Sequence, residues 1–93
     1  MRIAEDYILR EIAGELMIIP TKEAALKFQG LMIVNETGAL LWKKLQDGDC
    51  SKEELLQELC GKYQVDIESA RQDIQEFLDK LKNEGLLLEK EEI

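Results

Sequence analysis

Apolar positions in the first third of the chain fall in short β-prone runs, and from Asn35 onward they recur at helical spacing. Tyr7–Ile12 and residues 16–19 flank a Gly-containing turn at Ala13-Gly14-Glu15, which is a hairpin signal. Pro20 lacks an amide hydrogen and closes the second run. Residues 21–28 read as a connection, with a helical turn through Ala24-Ala25-Leu26. Gln29-Gly30 then leads into a third strand of Leu31, Met32, Ile33 and Val34. That strand is apolar on both faces, whereas a surface strand normally alternates because one face meets water. Two readings stay open: a central strand covered on both sides, or a sheet edge that binds another polypeptide.

Asn35 is suited to cap the first predicted helix, Glu36–Gln46, its side-chain oxygen accepting from the amide of Thr37 or Gly38. Leu41 and Leu45 form its stripe, flanked by Leu40 and Trp42, and Asp47-Gly48-Asp49 ends it. Ser51-Lys52-Glu53-Glu54 is an S-x-x-E capping box opening a second helix, whose stripe is Leu55, Leu56, Leu59, Cys60 and Tyr63. After a turn at Gln64-Val65, Asp66 caps a third helix, Ile67–Asn83, with Ile67, Ala70, Ile74, Phe77, Leu78 and Leu81 inward. Gly85 is placed as its C-terminal cap. Leu86, Leu87 and Leu88 follow as a short strand or packed tail, and residues 89–93 as an acidic solvated end.

Strands followed by helices predict an α+β fold. The architecture expected is winged-helix-like: an N-terminal three-stranded antiparallel sheet followed by a three-helix bundle, in one domain over residues 1–93 with its core at about 5–88. The second and third helices make a helix-turn-helix pair, and Leu86 stands where a wing would begin.

Length and charge narrow the function. Ninety-three residues suffice for one modest core and leave little room for a deep catalytic cleft. The formal net charge of −8 disfavours phosphate backbones and anionic membrane as partners and favours a basic or amphipathic peptide. Glu5, Asp6, Arg10 and Glu11 interrupt any signal-peptide core, and no run approaches a membrane span. Cys50 and Cys60 make no C-x-x-C pair, so a reduced, cytoplasmic setting is expected.

Catalytic chemistry is thinly represented. The chain has no histidine, the commonest general base and metal ligand. Its acidic residues fall on polar helix faces, where a solvated surface is the ordinary outcome. Cys60 reads as a small core residue, and Cys50 as a turn thiol whose pKa the neighbouring Asp47 and Asp49 raise. No phosphate-binding glycine loop occurs. The expectation is therefore no enzyme, no cofactor and no metal. A winged-helix transcription regulator is the alternative that the layout suggests. Yet the third helix mixes Arg71, Gln72, Gln75, Lys80 and Lys82 with Glu68, Asp73, Glu76, Asp79 and Glu84, which repels a duplex more than it holds one. A homodimeric module pairing through the strand edge is the other alternative, so both monomer and homodimer remain open.

One set of motifs runs through nearly the whole chain, from residue 5 to residue 88. Leu9-Arg10-Glu11-Ile12 precedes Leu31-Met32-Ile33-Val34-Asn35-Glu36-Thr37-Gly38 and Leu41-Trp42. Asp47-Gly48, Ser51-Lys52-Glu53-Glu54-Leu55, Tyr63-Gln64-Val65-Asp66, Phe77-Leu78-Asp79-Lys80-Leu81 and Glu84-Gly85-Leu86 follow in order. This ordered set resembles the PqqD-like family. The resemblance implies a stand-alone recognition element for ribosomally synthesised, post-translationally modified peptides. Such a protein binds the leader of a precursor peptide and delivers it to a modifying enzyme, often a radical-SAM maturase. It further implies that the leader adds as an antiparallel strand to the third strand and fills a groove against the third helix. Carried onto this chain, the peptide-binding residues would be Leu31, Met32, Ile33 and Val34 on the strand, with Ala70, Asp73, Ile74 and Phe77 on the helix. Asp73 or Glu76 would meet a basic leader residue at the rim. A second surface would face the enzyme, with the hairpin at Met17 and Ile19 and the outer sides of the first two helices as candidates.

Overall fold

The computed structural model describes residues 1–27 and 32–88. Phe28, Gln29, Gly30, Leu31 and the acidic end at 89–93 lie outside the described residues, and so do the expectations placed on them. The described chain forms β1 (Arg2–Ile3), β2 (Tyr7–Ile12), β3 (Glu15–Pro20), α1 (Ala24–Lys27), β4 (Met32–Val34), α2 (Glu36–Gln46), α3 (Lys52–Lys62), α4 (Ile67–Asn83) and β5 (Leu87–Leu88). The α+β class holds, as does the order of a three-stranded antiparallel sheet followed by three helices.

The sheet has the order β2-β3-β4. The hairpin between β2 and β3 closes Ile12 on Glu15, so its loop is Ala13-Gly14 alone. Both loop residues have positive φ, +52° and +82°. This is the sense of twist that a two-residue hairpin requires. Leu9, Ile18 and Met32 stand abreast in one row across the three strands, and Glu11, Leu16 and Val34 in another. Ile18, Met32 and Val34 of these rows are buried against the helices. Arg10, Met17 and Ile33 form the row between, facing outward.

Three caps set the helices. Asn35 Oδ1 accepts from the Gly38 amide at 2.8 Å, the Ser51–Glu54 capping box is complete, and Asp66 accepts from the Ser69 amide at 3.3 Å. Each satisfies an amide that the first helical turn leaves without an intrahelical partner. At the far end of α4 the Leu86 amide donates to the Leu81 carbonyl (2.8 Å) and the Gly85 amide to that of Lys82 (3.1 Å). Together with Gly85 at φ +74°, these two bonds make a Schellman motif, and Leu81 and Leu86 are both fully buried.

Chain reversal at Gly85 sends Leu87–Leu88 back to pair antiparallel with Arg2–Ile3. A two-stranded sheet therefore stands where a wing was expected, because the strand after α4 finds its partner at the N-terminal end of the chain. Trp42, Leu41, Leu45, Leu55, Leu59, Leu81 and Leu86 fill the centre, and α3 packs on both α2 and α4. Among the described residues no charged side chain is buried, and no helix is long and apolar enough to cross a membrane. Three expected core residues are corrected. Ile67 is exposed because it precedes the packed turns of α4, Cys60 because it lies a residue beyond the Leu55/Leu59 stripe, and Tyr63 because it follows the helix end.

Two backbone-only substitutions test these turns. Gly85→Ala places a Cβ in open space, so its only cost is the left-handed backbone, about 1–2 kcal/mol. Ala13→Asn, which tolerates positive φ better, is expected to raise stability by a few tenths of a kcal/mol. Urea denaturation of both variants checks the opposite signs.

Candidate functional site: an open strand edge above a groove

β4 is bonded to β3 on one side and, among the described residues, to no strand on the other. Its burial alternates: Met32 and Val34 are covered and Ile33 is 53% exposed. The reading of a central strand covered on both faces is therefore corrected. The strand is an edge, and Ile33 on its outer face remains open to water. Such an edge presents unpaired amide and carbonyl groups to any chain that runs alongside.

Beneath that edge lies a groove of about 220 Å³, walled by β4, the first turns of α2 and the middle of α4. Sites for small-molecule substrates typically enclose about 300–1,000 Å³, so this one suits individual side chains. Met32, Val34, Leu41 and Phe77 supply apolar wall, and Asp73, Glu76 and Lys80 stand at its helical rim. Of the residues expected to bind peptide, Met32, Ile33, Val34, Asp73 and Phe77 line this groove. Ala70 and Ile74 lie in the core beneath it, at 0% and 3% exposure, and are not lining residues. Leu31 falls outside the described residues. Thr37, Gly38, Leu41 and Lys80 line the groove without having been expected there. For Gly38 the available signal was a glycine inside the first turn of a helix, where it costs about 1 kcal/mol relative to alanine and so implies a packing reason.

That reason is visible in the distances. A Cβ on Gly38 would stand 3.2 Å from Phe77 Cε1, 3.2 Å from Val34 Cβ and 3.3 Å from Asn35 Oδ1. The absence of a side chain lets α2 begin directly against α4 and β4, and the Gly38 amide is itself the donor to Asn35. One position thus closes the base of the groove and caps the helix.

The turn thiol of Cys50 packs into the core. Cys50 is buried, and burial above all pushes its thiol pKa up; the Glu54 carboxylate adds to this. The Met1 ammonium and Lys44 pull the other way, and Asp49 adds a smaller upward push. The direction expected from sequence holds, with burial rather than Asp47 and Asp49 as its main cause. A thiol held protonated is a poor nucleophile. Among the described residues no group of histidine, cysteine or carboxylate side chains has metal-binding geometry.

Two cations of the helix-turn-helix pair are engaged within the domain. Arg71 pairs with Glu53 at 3.0 Å, and Lys52 donates to Gln75 at 2.9 Å. The positive charge between α3 and α4 is spent within the domain.

An open strand edge over a helix-walled groove is an arrangement to which an extended peptide can add. The chain belongs to the PqqD family: the family described as coenzyme PQQ synthesis protein D (PqqD) matches residues 23–87. Two solved structures share the fold. One, TbiB1 in complex with the TbiA(beta) leader peptide, is 23% identical over 99% of this chain and 100% of that one, with a TM-score of 0.73. The other, lasso peptide synthetase B1 complexed with the leader peptide, is 23% identical over 95% of this chain and 96% of that one, with a TM-score of 0.69. No curated protein matches the sequence significantly.

Gly38→Val tests the close approach. Its branched side chain must displace Phe77 or Val34, and overpacking of this kind costs about 1–3 kcal/mol. The melting temperature is expected to fall by roughly 5–15 °C for a domain of this size, measured by circular dichroism.

Proposed function

We propose that this protein is a non-catalytic recognition element that binds the leader segment of a ribosomally made precursor peptide. The leader adds as a strand to the free edge of β4, and its groove-facing side chains enter the space between β4 and α4. The observation that carries this reading is the edge itself, which along Met32–Val34 has no second strand among the described residues and lies directly over the groove. Main-chain hydrogen bonds supply affinity in such strand addition, and alternate side chains supply specificity. Membership of the PqqD family supports it, and both solved structures that share the fold hold a leader peptide.

The role is to tether. Holding the leader raises the effective concentration of the downstream peptide near the active site of a modifying enzyme, into the millimolar range for a short flexible linker. A radical-SAM maturase is the proposed recipient. The outer row of the sheet, where Met17 stands beside Ile33, adjoins the bound leader and is available to that enzyme.

Calorimetric titration with the leader of the precursor peptide encoded beside this gene is expected to give a Kd below about 10 μM. N-methylation of alternate leader residues separates strand addition from loose apolar contact. One alternate set carries the amides that face β4, and methylating it is expected to weaken binding about ten-fold or more, since a lost hydrogen bond and a steric block act together. The other set should bind nearly as well as the parent. Equal effects of the two sets would exclude strand addition.

A further inference from the structure

The groove wall on α4 carries charge in a fixed order. Asp73, Glu76, Phe77 and Lys80 line it, and their spacing of three, four and seven residues places them on one helical face. Phe77 is the buried centre of this stripe; the three charged residues around it are exposed. Among the described residues Asp73 and Lys80 have no hydrogen-bond or ion-pair partner, and Glu76 meets only the Gln72 amide, at 3.5 Å. The opposite flank of the same helix is arranged otherwise. There Arg71 holds Glu53, Lys52 holds Gln75, and Gln75 donates to Asp79 at 2.9 Å. The helix pairs its polar groups where it meets α3 and leaves them open where it faces the groove.

A short extended segment is long enough to span the stripe. From Asp73 to Lys80 the helix rises about 10.5 Å. Side chains on one face of an extended peptide repeat about every 6.6 Å. Two groove-facing positions four residues apart therefore bracket the stripe, with a third over Phe77 between them.

Resting on the reading of a peptide-binding edge, we propose that this stripe reads the order of charges in the bound strand. A cationic residue sits against Asp73 and Glu76, an apolar residue over Phe77, and an anionic residue against Lys80, at successive groove-facing positions. The hydrogen-bond ladder fixes that a strand binds; the charge order fixes which way it runs and which register it takes. Opposite charges within a few ångströms are attractive, and reversing the peptide makes both ends repulsive. A ligand of this class is amphoteric, so it need not be basic overall to bind a domain of net charge −8.

Selection from a displayed library of random linear peptides tests this on the intact protein and on the double variant Asp73→Lys/Lys80→Glu. Both sites are exposed, so the variant is expected to fold, which circular dichroism checks. The wild type should enrich peptides with a basic, an apolar and an acidic residue at alternate positions, in one order. The double variant should enrich the opposite order. A synthetic wild-type consensus peptide is expected to bind about ten-fold more tightly than its charge-exchanged isomer, a difference of about 1.4 kcal/mol. That ratio should shrink in high salt as screening shortens the reach of the charges. Enriched peptides with apolar spacing but no charge order, or the same order for both proteins, would overturn this inference and leave the peptide-binding reading standing. Failure to enrich any peptide that competes at the groove would overturn both.

Discussion

Everything at the candidate site depends on the contact among Gly38, Phe77 and Val34. Helix α2 starts immediately after β4, so its first turn has to lie against whatever flanks that strand. An added methyl at Gly38 would come to 3.2 Å from both Phe77 and Val34, tighter than packed carbon atoms normally approach. With hydrogen in that place, strand, helix start and α4 converge on one point. The groove is the space left where they diverge again toward the free edge of β4. Its depth follows from this packing: Met32 and Val34 turn inward to the core, and Leu41 and Phe77 form the walls.

The same geometry explains where β4 ends. Asn35 takes the Gly38 amide and commits the backbone to a helix, so the strand ends at Val34. Burial holds the Cys50 thiol protonated, and Arg71 is paired with Glu53.

Much of this was legible in the sequence where a local rule operates. Asn35, Ser51 and Asp66 announce helix starts because each side chain answers an amide a few residues away, and Gly85 announces an end because few other residues accept its backbone. The hairpin, the third strand and the three long helices followed. What escaped needed knowledge of three-dimensional phase or of distant partners. β1 and β5 have two residues each, too few for any periodicity, and they exist because the Gly85 turn returns the chain to Arg2–Ile3. Helical spacing placed Ala70 and Ile74 on the inward face of α4 correctly. It could not tell the part of that face under the core from the part under the groove, where Asp73, Phe77 and Lys80 lie. Thr37 gave no sign of being a wall residue, and Gly38 only the sign of a glycine in a first helical turn, because their role depends on how closely α2 approaches α4. Four consecutive apolar residues at 31–34 suggested a strand with two covered faces, whereas in the structure Ile33 is the exposed member between Met32 and Val34.

On the proposed reading, β4 gains a new neighbour when peptide binds. The most direct measurement is nuclear magnetic resonance of the isotope-labelled protein with an unlabelled leader peptide, reading intermolecular cross-strand contacts and amide hydrogen exchange. The account predicts contacts between peptide backbone and Met32, Ile33 and Val34, together with slowed exchange of β4 amides that are unprotected in the free protein. Binding that leaves those amides unchanged and perturbs the outer face of α3 or the edge of β2 instead would contradict it.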